Sequence, residues 1–152
     1  MSEEELKKAL YLKCEQWITN RRAKVEKVIA GIMESLENET KSSAGDKHET
    51  GRAMLQIDRE QAGEQLLEIS KIEKSLVKVT TAVQKDTVRL GSIVYTSTLQ
   101  FYIAISAGEL KINGQIFYAI TPYAPIGKLL MGKNEEDVIR FRESEIKIHS
   151  IL

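Results

Sequence analysis

The sequence predicts an α+β protein. An N-terminal antiparallel α-helical coiled-coil hairpin is followed by a compact antiparallel β-sheet domain with one short helix. Three observations predict it. Apolar residues recur every seven positions along Tyr11, Ile18, Val25 and Ile32, and again along Leu55, Ala62, Ile69 and Leu76. A polar stretch from Ser42 to Arg52 separates the two series. Beyond Thr80 the pattern turns β-rich and holds both prolines, Pro122 and Pro125.

The first helix is expected from Ser2 to about Lys41. Ser2 and Glu5 have the spacing of a capping box, in which hydroxyl and carboxylate each satisfy an orphan amide. Cys14, Val28, Ile29 and Leu36 widen the apolar stripe, and Arg21 interrupts it and is expected to snorkel to its edge. The second helix is expected from about Asp46 to Val79, with Leu66, Ile72 and Val79 beside its seven-residue series. Two matched stripes joined by a turn describe an antiparallel hairpin of roughly 30–35 residues per helix, on the order of 50 Å long. Met33 and Met54 are expected as fillers of its core. This places a domain at 1–79 and a second at 80–152.

In the second domain, Val88 to Tyr95 and Leu99 to Ile105 read as strands. Asn113-Gly114 is a tight-turn signal because both residues tolerate positive φ. Gln115 to Ile120 reads as a strand, and Pro125 to Met131 as a short helix stopped by Gly132. Asp137 to Phe141 and Glu145 to Ile151 form a final strand pair.

The chain has 152 residues, with 22 Lys+Arg against 22 Asp+Glu. No global basic field exists to hold nucleic acid, so such contact is expected to be local or to come through a partner. A single cysteine, Cys14, excludes an internal disulfide and a Cys-cluster metal site, and its spacing predicts a buried thiol. No apolar run is long enough to span a bilayer, and the acidic start lacks a signal-peptide layout. A cytoplasmic monomer without membrane contact is expected.

Asp46 and Glu49 sit at the start of the second helix, three residues apart. They fit a capping box, and they equally fit a pair of oxygen ligands carried on the hairpin tip. His48 reads either as a ligand or proton carrier, or as a solvated turn residue. Lys41, Lys47 and Arg52 flank the acids, suited to phosphate contact or to solubility. Tyr123, Ile126 and Leu130 read as core or rim, or as a docking surface.

The segment Thr121 to Lys133 (TPYAPIGKLLMGK) is similar to a characteristic segment of the bacterial GreA/GreB transcript-cleavage factors. Leu90 to Val94 resembles that family's Gly-Ser-x-Val strand, Ile146 to Ile151 its closing strand, and Asp46-x-x-Glu49 its tip motif. The resemblance covers nearly the whole chain. It implies that the second domain is FKBP-like and that the protein binds bacterial RNA polymerase. It implies a coiled coil inserted into the secondary channel, where Asp46 and Glu49 act as catalytic acids. They would share a Mg²⁺ with the polymerase while it cleaves backtracked RNA at the nascent 3′ end. Lys47, Arg52, Tyr123 and Lys128 become candidate contacts to polymerase or RNA. On this reading the chain is an accessory factor and not itself an enzyme. The alternative is a non-cleaving channel regulator of the same architecture.

Overall fold

A computed structural model of the chain describes residues 1–41 and 45–152, and the backbone alone for Thr40, Lys41 and Gly45 to His48. Two long helices open the chain, α1 (Glu3–Lys41) and α2 (Gly45–Val77). The strands β1 (Ile93–Thr96), β2 (Gln100–Ile103), β3 (Gly108–Ile112) and β4 (Gln115–Ile120) follow, then α3 (Pro125–Leu130), β5 (Val138–Phe141) and β6 (Ser144–Ile151). The protein is α+β. Its contacts divide it into two compact units, Ile18–Glu73 and the pair Met1–Trp17 with Lys74–Leu152.

In the Ile18–Glu73 unit the helices run antiparallel. Arg22 Nη1 meets Glu73 Oε2 at 2.6 Å, and a Cβ on Gly51 would lie 3.3 Å from Glu39 Oε1. The seven-residue series forms the seam: Ile18, Val25, Ile32, Ala62 and Ile69 are buried. Burying one stripe on each helix against the other explains why both persist without Pro. Arg21 is half-buried, in keeping with a snorkelling side chain. Two expectations fail here. Met33 is 44% and Met54 62% exposed, and Val28 also faces solvent. A two-helix seam is narrow, so residues one position off it find no third surface to cover them.

In the other unit, Ser2 caps α1, its Oγ accepting the Glu5 amide at 3.1 Å. The six-stranded sheet has the order β3-β4-β2-β1-β6-β5. It is mixed and not wholly antiparallel, because β2 and β4 pair in parallel, Phe101 opposite Tyr118 and Ile103 opposite Ile120. After β2 the chain passes one strand position, forms the outer strand β3, and returns through the Asn113-Gly114 turn to fill the gap. The expected strand from Val88 is shorter, starting at Ile93. Ser92 Oγ accepts the Arg89 amide at 2.8 Å and Gly91 takes a φ of 94°, which turns the chain before β1 begins.

Val94, Phe101, Ile103, Ile139, Ile146 and Ile148 pack on one sheet face with Leu130 of α3. Leu10 and Cys14 of α1 are fully buried within the same unit. Tyr102, also buried, lies close enough to Cys14 and Tyr11 that both add to the upward shift that burial gives its hydroxyl. Burial likewise pushes the Cys14 thiol up to about 12, so it is an inert buried group.

Candidate functional site

The first turns of α2 carry the acidic pair. Asp46 and Glu49 fall three residues apart in the opening of α2. Glu49 is exposed, whereas the side chains of Asp46, Lys47 and His48 lie outside the described residues. Asp46 falls among the opening residues of α2, and its capping-box reading rests on a side chain outside the described residues. One turn further on, Arg52 is exposed. It borders a groove with Gln56 and Arg59 of α2 and with Met33, Glu34, Leu36 and Glu37 of α1. Acid and base therefore face each other across the two helices near their joined ends.

Asp46 and Glu49 offer hard oxygen donors, the type magnesium selects. Two carboxylates fill at most a few of its six positions, and the ion keeps several waters in such sites. The residues present therefore fit a shared magnesium and not a private cage. Among the described residues no three His, Cys, Asp or Glu side chains converge as a metal site.

The second group of candidates surrounds α3 in the sheet-bearing unit. Thr121 prepares the helix: its Oγ1 and its carbonyl accept the Ala124 amide at 3.1 and 3.2 Å. Pro125 then occupies the first turn, where its missing N–H costs nothing. A Cβ on Gly127 would sit 2.2 Å from the Thr121 carbonyl, so only glycine allows α3 to fold back onto this segment. The resulting orientation sends Leu130 into the core, leaves Ile126 half-buried, and exposes Lys128 and Tyr123, the latter at 80%. The core-or-rim reading of Tyr123 is thus corrected, while Leu130 is core.

One charged residue escaped the sequence reading. Lys7 is 1% exposed. Its Nζ donates to the carbonyl oxygens of Gly91 and, at 3.0 Å, Leu152. Burial lowers its pKa to about 8. The signal was present, since Lys7 lies one heptad before Cys14 on the same stripe. The charged residue type hid it.

Compared with protein-family models, characterised proteins and solved structures, the chain matches none. Among the described residues no helix is long and apolar enough to cross a membrane.

Proposed function

We propose that this chain is a transcription elongation factor that binds bacterial RNA polymerase and stimulates cleavage of backtracked RNA. Its hairpin enters the secondary channel, and its second domain is FKBP-like. The observation that supports this reading most is the antiparallel hairpin with Glu49 exposed in the opening turns of α2, one turn from Asp46.

Asp46 and Glu49 hold a magnesium ion jointly with carboxylates of the polymerase. When bound there, such an ion would supply an activated water and offset charge on the scissile phosphate. Lys47 and Arg52 lie beside the acids in sequence and suit contact with RNA phosphate. Tyr123 and Lys128, exposed around α3, contact the polymerase surface. Splitting the ligands between two molecules makes cleavage conditional on docking, so the chain alone is not an enzyme.

The test is RNA cleavage by a reconstituted backtracked elongation complex, with and without this protein. Stimulated cleavage that Asp46→Asn and Glu49→Gln abolish supports the proposal. Binding to polymerase without stimulation assigns the chain instead as a non-cleaving channel regulator. Failure to bind polymerase overturns both readings.

A further inference from the structure

The last edge of the sheet carries a feature that the reading above does not use. β5 pairs only with β6, and it is the terminal strand of the sheet. In an antiparallel ladder, hydrogen-bonded and outward-facing residues alternate. The Ile148 amide donates to the Asp137 carbonyl at 2.9 Å, so Ile139, two residues on, turns its backbone toward Ile146. Val138 and Arg140 therefore turn their N–H and C=O groups to the open edge. Val138 is 54% exposed and Arg140 is exposed.

That edge borders a groove. Lys128, Leu129, Met131 and Lys133, on and just after α3, line it with Val138 and Arg140. Apolar floor and cationic rim combine, and no carboxylate lines it. Among the described residues none of the three cations is in an ion pair, and Glu145, the cross-strand neighbour of Arg140, leaves it unpaired. The opposite edge differs: β3 presents Glu109 and Lys111, charges of both signs. Edge strands are commonly blunted with a charge. Blunting alone accounts for Arg140, but not for the adjoining apolar groove or its uniform sign.

We propose that β5 is a strand-addition site for an extended segment of a partner protein in which acidic and apolar residues alternate. Backbone pairing to Val138 and Arg140 supplies affinity, as in other edge-strand complexes. Apolar side chains of the segment meet Leu129 and Met131. Its acidic side chains, on the opposite face of the added strand, meet Arg140, which sets specificity by charge. The inference stands on the sheet edge, and of the groove residues it shares only Lys128 with the polymerase reading.

The experiment uses the full chain and a blocked six-residue peptide of alternating Glu and Val, followed by amide NMR shifts and hydrogen exchange. Val138 and Arg140 amides shift and gain protection on titration. A Lys/Val peptide and the Arg140→Glu variant bind at least tenfold more weakly. Val138→Pro, which removes only an outward N–H, weakens binding while the rest of the spectrum is retained. The proposal is overturned by equal binding of both peptides, by no change at β5, or by an oligonucleotide displacing the peptide from these residues. Concentration-dependent protection of β5 without peptide also overturns it, since the occupant is then a second copy.

Discussion

The hairpin unit and the sheet-bearing unit bury apolar surface in different ways, and α1 runs through both. From Ile18 onward, α1 meets one partner helix along one stripe, and residues beside that stripe such as Val28 and Met33 stay in solvent. Over Met1–Trp17 the same stripe is buried within the sheet-bearing unit, and there even a lysine is enclosed. A two-helix seam leaves its flanks open, whereas in the sheet-bearing unit the carbonyls of Gly91, before β1, and Leu152, after β6, receive an ammonium group. One repeat thus specifies a thin, forgiving contact in one place and a dense, demanding one in another.

The contrast is open to attack by substitution. The largest stability effect is expected in the sheet core. Ile148→Ala, at a fully buried site, should cost about 4 kcal/mol, whereas Ile32→Ala on the hairpin seam should cost about 2 kcal/mol because the open flank lets neighbours collapse. Denaturant melts of both variants measure this, and equal losses would erase the distinction. Asp46→Asn should act on function alone. Cleavage in the backtracked complex falls by about 100-fold, corresponding to about 3 kcal/mol of lost transition-state stabilisation, while thermal stability barely changes. A large drop in melting temperature would return Asp46 to a purely structural role.

Lys7 sharpens the comparison through pH. Its folded pKa of about 8 lies below the usual lysine value of about 10.4. Between those values Lys7 binds more protons in the unfolded chain than in the folded one, so it contributes a rise in stability with pH, which the buried Cys14 thiol, kept protonated on folding, offsets above about pH 9. Lys7→Met should flatten that rise. Melts taken from pH 7 to 11 compare the two slopes, and a rise retained by the variant would place the titrating group elsewhere. The smallest effects are expected on the helices of the hairpin. Gly31 and Gly63 have open space where a Cβ would go, so Gly31→Ala and Gly63→Ala should each stabilise by up to about 1 kcal/mol. Destabilisation by either, read from the same melts, would mean that a neighbouring side chain closes on the added methyl group.

Much of this fold was written in short-range pattern. The heptads of α1 and α2, the Ser2 cap, the Asn113-Gly114 turn, α3 with its proline start, and the β5–β6 pair all follow from spacing and turn chemistry within a few residues. Of the acidic pair, Glu49 is exposed near the start of α2, and the Asp46 side chain lies outside the described residues. The residues that resisted reading are those whose environment comes from far along the chain. Lys7 is buried because Gly91 and Leu152, 84 and 145 residues away, supply its acceptors. Met54, 62% exposed, lies beside the hairpin seam, uncovered among the described residues.

By itself, the sequence determined where helices and strands form, since periodicity and φ preferences are local properties of neighbouring residues. Tertiary structure alone decided that β4 slots in parallel beside β2, that β5 is left as an open edge, and that a lysine is buried among carbonyls. Each of these depends on which distant segments meet, and the hydrogen-bonding groups of a strand or an ammonium carry no mark of their eventual partner.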